Sequence, residues 1–132
     1  MSETETTQEP QATKPADDTF GVSDFAAASK VRYVRVPIGD RFAYLRSLPE
    51  SDRAKWDSSA LDENGEVDRD RMLTRRALLL AMILVDKTGK RLFADDDWEK
   101  LSSVDGAITS KLFTAAVKHL GLNDQSEDDA KN

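Results

Sequence analysis

The chain has 132 residues, no cysteine and one histidine, and its net charge is −6 at pH 7. This composition excludes disulfides, thiolate metal sites, cysteine nucleophiles and histidine-rich metal or catalytic centres. No apolar run approaches the roughly 20 residues that span a bilayer, so the sequence predicts a soluble, intracellular protein without membrane contact.

The acidity is concentrated at the two ends of the chain. Residues 1–24 carry a net charge of −5 and residues 123–132 a net charge of −3, which leaves +2 for residues 25–122. Polar, acidic segments lack the apolar surface that offsets ordering entropy, so both ends are predicted to be disordered tails. Residues 25–122 are predicted to form a single compact domain, mainly α-helical with a small N-terminal β-hairpin (α+β).

The hairpin is predicted from the segment KVRYVRVPIGDRFAYLRSL at residues 30–48. Apolar and basic residues alternate in two β-prone runs, and a Pro-Ile-Gly-Asp connection separates them. Pro37 and Gly39 are expected to fix the turn.

Three longer helical patterns follow the hairpin. The first covers residues 49–61, with a proline at its start and acidic residues in its first turn. The second covers residues 68–86, with Asp68 as its cap, and contains nine consecutive apolar residues that predict the centre of the core. The third runs from Asp105 to Leu120, with Gly121 placed as a left-handed C-terminal cap. Its apolar stripe consists of Ile108, Leu112, Ala115, Ala116 and Leu120.

The stretch LVDKTGKRLFADDDWEKL, residues 84–101, contains five carboxylates. It fails as a calcium loop, because counting from Asp86 places the glycine fourth rather than sixth. Three consecutive aspartates, residues 95–97, point about 100° apart on a helix, so they do not converge as catalytic groups. We expect an aspartate to cap the helix that begins here, and Asp96 with Glu99 to form a capping box.

His119 is expected in the last turn of a helix, where a positive charge is favourable. The sequence predicts no catalytic residue, no metal site, no cofactor and no enzyme.

Arginine and aromatic residues are the candidates for binding a partner. An arginine-rich hairpin with tyrosines has the composition that holds phosphates and stacks bases, but the domain charge of +2 and the acidic tails weigh against nucleic acid. The same arginines fit a solvated face or the rim of a protein-binding patch. The tryptophans fit either the core or an interface anchor. The candidate partner-binding residues are Arg32, Tyr33, Arg35, Tyr44, Trp56 and Trp98.

One family shares the order of these segments. A buried helix followed by LVDKTGKRLF, an acid-capped DDDWEKL and a last helix ending near HLGLN resembles the tail assembly chaperones of long-tailed phages and prophages. The extended VRVPI leading to RFAYLRSLPESDRAKWD is similar to their N-terminal half, so the resemblance covers roughly residues 30–123. Ala94 departs from the expected threonine or serine cap.

The resemblance implies a non-enzymatic assembly factor. Such a protein acts in the host cytoplasm, coats the tape measure protein to keep it soluble, recruits the major tail protein during tube assembly, and is absent from the finished virion. Self-association is also expected, both from the family and because one apolar run makes a small core. The alternatives are a structural virion protein, such as a tail completion or connector subunit, and a small nucleic-acid-binding regulator.

The last three residues, Ala130-Lys131-Asn132, raise a hypothesis about the gene. If their codons are GCA AAA AAC, they contain a heptamer on which ribosomes slip by one base. The resemblance implies such a programmed −1 frameshift, which would make the acidic C-terminal segment a linker to a second domain in a longer product.

Overall fold

The computed structural model of the chain describes residues 17–122. Residues 17–122 fall into two compact units that divide between Lys30 and Val31. The first unit contains α1 (Val22–Ala27). The ring of Phe25 in this helix contacts the ring of Phe20 edge to face, with centroids 4.8 Å apart. The boundary predicted for the N-terminal tail, residue 24, therefore falls inside a helix. The predicted C-terminal tail, residues 123–132, lies outside the described residues.

The second unit combines a small sheet with helices, which confirms the predicted fold class. Its strands form one antiparallel sheet in the order β1-β2-β3. A 3-10 turn at Asp95–Asp97 precedes α4. The elements are β1 (Tyr33–Ile38), β2 (Arg41–Arg46), α2 (Glu50–Ser58), α3 (Arg69–Ile83), β3 (Leu84–Val85), α4 (Trp98–Ser102) and α5 (Gly106–Leu120).

The hairpin is confirmed, but Pro37 lies within β1 and not in the turn. Gly39 and Asp40 form the connection, and Gly39 has φ of +63°, a left-handed conformation that suits glycine. Ile38 and Arg41 close this two-residue loop as the hydrogen-bonded pair. Pro37 is therefore at a non-hydrogen-bonded position, where a residue without an N–H is tolerated.

The helix predicted over residues 68–86 is shorter than expected. α3 ends at Ile83, and Leu84–Val85 forms β3, which pairs with Tyr44 and Leu45 of β2. A continuous apolar run carries no periodic signal that separates a buried helix from a buried strand, so the pairing partner decides the structure.

Two arginines bind the C-terminal carbonyls of α3 at this junction. Arg46 Nε donates to the Met82 carbonyl at 2.8 Å, and Arg91 Nη2 donates to the Ala81 carbonyl at 2.9 Å. The last four carbonyls of a helix have no partner within the helix. These two are satisfied by charged donors from other segments, so the helix passes directly into a strand without a loop.

The core lies where the C-terminal half of α3 meets the inner face of the sheet and α5. Leu45, Leu79, Leu80 and Ile83 are fully buried, and each contributes about 1.5–3 kcal/mol by leaving water. The predicted stripe of α5 supplies Leu112 and Ala116 to this core, whereas Ile108 at its start remains 37% exposed. The remaining buried members are Val36, Trp56, Ala81, Met82, Leu84, Leu101 and Leu122.

The predicted caps Asp68 and Gly121 are confirmed, Asp105 caps the helix that was predicted to begin at it, and one predicted cap is wrong. The Asp68 side chain accepts from the N–H groups of residues 70 and 71, Asp105 accepts from that of residue 107, and Gly121 has φ of +76°. The expected Asp96–Glu99 box does not form. Asp97 instead accepts from the Ala94 N–H at 3.1 Å, because the backbone enters a 3-10 turn two residues earlier than the predicted box requires.

Two loops in this unit have the same local structure. In the first Asp–Gly turn, residues 62–66, Asp62 Oδ1 accepts from the N–H groups of residues 64 and 66. In the second Asp–Gly turn, residues 86–90, Asp86 Oδ1 accepts from those of residues 88 and 90. The glycines, Gly65 and Gly89, have φ of +81° and +91°. Both turns are therefore closed by an aspartate and a left-handed glycine.

Candidate functional site

The carboxylates of residues 84–101 are used in local structure. Asp86 accepts hydrogen bonds from the Thr88 hydroxyl at 2.6 Å and from two backbone N–H groups, and the Thr88 bond above all lowers the pKa of Asp86. Asp95 is bound by Lys55 at 3.0 Å and by Arg91 at 2.6 Å. Partial burial raises the pKa of Asp95, but these two cations outweigh it and lower the pKa overall.

A metal site is not found among residues 17–122. They contain no group of three or more histidine, aspartate or glutamate side chains that would hold a metal ion. No helix in the same range is long and apolar enough to cross a bilayer.

Three of the predicted partner-binding residues share the outer face of the sheet. Residues that are paired across antiparallel strands point to the same side, and the register pairs Arg35 with Tyr44 and residue 37 with Phe42. Together with Tyr33, these side chains form what we call the sheet face: Tyr33, Arg35, Phe42 and Tyr44. Phe42 was not predicted; its alternation with Tyr44 on β2 was the available signal.

The sheet face is aromatic and cationic. Arg35 stacks on the Phe42 ring with its guanidinium carbon 4.3 Å from the ring centroid. Tyr33 is 54% exposed and Phe42 is 46% exposed. The Tyr33 hydroxyl reaches across the sheet to the second Asp–Gly turn, where it would lie 2.9 Å from a Cβ on Gly89.

Arg32, a fourth predicted residue, lies just before β1 and ties the sheet to the last helix. Its Nη2 donates to the His119 carbonyl at 3.1 Å, and its backbone exchanges hydrogen bonds with Ser47. Burial lowers the pKa of His119, and the nearby Arg32 charge lowers it further. His119 lies in the last turn of α5 as expected, but partial burial and the Arg32 charge disfavour its charged form there.

The two tryptophans lie in different environments. Trp56 is only 7% exposed; its indole N–H donates to the Arg75 carbonyl at 2.9 Å, and the Arg75 guanidinium stacks on its ring. It is a core residue and offers no surface to a partner. Trp98 is half-buried and lines a groove of about 420 Å³ beside α3, the tryptophan groove. The other residues of this groove are Ser59, Arg71, Thr74, Leu78, Asp95 and Asp96.

A second groove lies on another side of α3, and sequence reasoning did not find it. This helix groove has a volume of about 240 Å³ and lies between α3, α4 and the start of α5. Leu73 on its wall is 75% exposed, and Val104 opposite is 37% exposed. The groove is lined by Leu73, Arg76, Ala77, Leu80, Leu101, Ser102, Val104, Gly106 and Thr109. An apolar residue that precedes a buried run reads as core, so Leu73 gave no signal.

Arg76 forms one rim of the helix groove and is fixed by α5. Its guanidinium donates to the Ser110 hydroxyl and stacks on the Phe113 ring at 5.1 Å. This contact holds the N-terminal half of α3 against α5, so the groove between them is already formed without a partner.

Residues 23–132 match the family described as phage tail assembly chaperone. The fold is similar to that of the solved structure of the tail assembly chaperone of bacteriophage HK97, with a TM-score of 0.52 and 18% sequence identity over 67% of this chain and 84% of that one. At this identity the likeness concerns the fold. No curated protein matches the sequence.

Proposed function

The chain belongs to the phage tail assembly chaperone family, and we propose that it binds a tape measure protein, keeps it soluble and recruits the major tail protein to the growing tube. The observation that carries the proposal is the helix groove beside α3, whose wall residue Leu73 is 75% exposed. Leu73 and Val104 together leave apolar surface in solvent on the walls of an open groove, and contiguous exposed apolar surface of this kind marks sites of protein–protein contact. The proposal includes no catalytic step.

A partner helix is the occupant that fits the helix groove best. Amphipathic helices bind by laying apolar residues at helical spacing into a groove between other helices. Leu73 and Val104 provide apolar walls, and Leu80 and Leu101 provide the floor. Arg76 at the rim matches an acidic residue beside the apolar stripe of the partner. The family resemblance implies a long helical tape measure protein, and we expect its apolar helices to supply such a stripe.

Co-expression with the tape measure protein tests this assignment. Wild-type chain is expected to keep the tape measure protein in the soluble fraction and to copurify with it. Leu73→Asp places a charge on the groove wall and is expected to abolish copurification. Val67→Asp is the matched control, because Val67 is 68% exposed beside the first Asp–Gly turn, outside the groove. Equal retention by both variants would contradict the assignment, as would equal loss while both remain folded by circular dichroism.

Recruitment of the major tail protein is a separate step. The purified complex with the tape measure protein is expected to retain the major tail protein, whereas the chaperone alone binds it weakly. If neither retains it in a pull-down, recruitment is wrong while tape measure binding stands.

The same proposal places the protein in the host cytoplasm during infection and not in the finished virion. Mass spectrometry of purified particles checks this, since a tail completion or connector subunit would be present there in stoichiometric amounts.

Self-association is expected as well, and light scattering over a concentration series measures it. A protein that remains monomeric at high concentration would contradict this expectation. Reading the last codons of the gene and the −1 frame beyond them checks the frameshift hypothesis, which concerns residues outside the described range.

A further inference from the structure

The outer edge of β1 carries backbone hydrogen-bonding groups that the described structure does not use. The N–H of Ser47 donates to the carbonyl of Arg32 at 2.8 Å, so residue 32 faces β2. Because this orientation alternates along an antiparallel strand, residues 34, 36 and 38 also face β2. Tyr33 and Arg35 therefore direct their N–H and C=O groups away from the sheet, and no other described backbone group pairs with them.

The positive charge of Arg35 next to this edge favours an added strand that carries acidic side chains. Arg35 makes no ion pair with a carboxylate of residues 17–122, whereas Arg46, Arg75 and Arg91 each do. Stacking on Phe42 holds the Arg35 guanidinium on the sheet face, beside the free edge. A strand added to β1 would lie about 4.8 Å away and would place the residue opposite Arg35 on the same face. An acidic side chain at that position would meet a cation that has no carboxylate partner within residues 17–122.

Pro37 and Arg35 also restrict which other strands can pair with the outer edge of β1. Pro37 ends the run of outward donors after two residues, and an arginine at the centre of an edge strand discourages indiscriminate pairing. On the inner face, Val34 is 36% exposed at this edge and provides an apolar contact for the alternate residues of an added strand.

We propose that β1 binds one extended segment of a partner protein, with acidic residues at alternate positions on the sheet face and apolar residues between them. The segment joins the sheet as a fourth strand through the backbone of Tyr33 and Arg35. This site is separate from the helix groove and does not depend on the proposed binding of the tape measure protein.

The first test uses the full chain alone. In an amide hydrogen-exchange experiment by NMR, the N–H groups of Val36 and Ile38 are expected to be protected and those of Tyr33 and Arg35 to exchange rapidly. Protection of Tyr33 and Arg35 that rises with protein concentration would overturn the proposal in favour of a second copy of the chain. Protection that is independent of concentration would overturn it in favour of another segment of the same chain.

The second test adds a probe peptide, blocked Thr-Glu-Val-Glu-Val-Glu-Thr. It is expected to slow exchange at Tyr33 and Arg35 and to shift their amide signals. The same peptide N-methylated at its glutamates, which removes the donors facing β1, is expected not to bind, and a version with lysine for glutamate is expected to bind much more weakly.

Charge-reversal variants complete the design. Arg35→Glu is expected to weaken peptide binding about fivefold or more, whereas Arg41→Glu, on the same hairpin but the opposite face, leaves it unchanged. Absence of any shift up to the solubility limit of the peptide would overturn the proposal. Equal binding by the N-methylated peptide would overturn it as well, and so would an oligothymidylate that shifts the same signals more strongly, since that result favours single-stranded nucleic acid.

Discussion

The two Asp–Gly turns are nearly identical in local chemistry and differ in what surrounds them. The first turn is flanked by Leu61 and Val67, and Val67 is 68% exposed. The second is flanked by Val85, which is 1% exposed, and by Arg91, which reaches the end of α3. Aspartate and glycine are therefore sufficient to close a turn, whereas the neighbouring strands determine whether that turn is part of the core.

The largest expected difference between the turns concerns their flanking valines. Val85→Ala removes two buried methyl groups and leaves a cavity, which we expect to lower the free energy of unfolding by about 2 kcal/mol. Val67→Ala removes the same groups from solvent and is expected to change it by less than about 0.5 kcal/mol. Urea denaturation with unchanged m-values measures both. Equal costs would show that the two turns do not differ in burial.

The glycines test the turns themselves. Alanine in the left-handed region costs about 1–2 kcal/mol, so Gly65→Ala and Gly89→Ala are both expected to destabilise by about that amount. Gly89→Ala also displaces the Tyr33 ring, because a Cβ there lies 2.9 Å from its hydroxyl, while nothing lies within 4 Å of a Cβ on Gly65. The displaced ring is half-exposed and can move, which keeps the extra cost below about 1 kcal/mol.

A double-mutant cycle isolates that extra cost. In a Tyr33→Ala background, Gly89→Ala and Gly65→Ala are expected to destabilise equally. If Gly89→Ala remains the more costly change without the tyrosine, the difference arises from the backbone of the second turn and not from its contact with the sheet face.

The smallest expected effect is the pH dependence of the second turn. The folded state lowers the pKa of Asp86, chiefly through the Thr88 hydroxyl, so its contribution to stability is present above the unfolded pKa of about 4 and is lost as the pH falls through the folded value. Asp86→Asn is expected to flatten the acid limb of the stability curve. Thr88→Val is expected to do so in part, and an unchanged limb in both variants would contradict the assignment. Thermal unfolding at a series of pH values measures this.

Local signals predicted much of the fold. Asp68, Asp105 and Gly121 mark helix ends because capping depends on a few neighbouring residues, and the hairpin follows from alternation around Gly39. β3 was not predicted, since Leu84 acquires its strand conformation from Leu45, about forty residues earlier in the chain.

The residues of the candidate binding surfaces were harder to predict from the sequence than the helices and strands. Tyr33, Arg35 and Tyr44 were correctly grouped on one hairpin, because strand alternation places side chains. Residue type left Trp56 open between the core and an interface anchor, and the structure buries it, whereas no local signal indicated that Leu73 is exposed. Which side of a helix faces the core depends on the packing of α3 against α4 and α5, and the continuous apolar run of α3 conceals that side.

The direct passage of α3 into β3 has a mechanical consequence. A loop at this point would act as a hinge, whereas here any bending between helix and sheet must first break the hydrogen bonds that Arg46 and Arg91 donate to Met82 and Ala81. Charge-assisted bonds of this kind are roughly twice as strong as neutral ones. The junction between α3 and β3 is therefore stiff, and a force applied to α3 is transmitted to the sheet without bending at the junction.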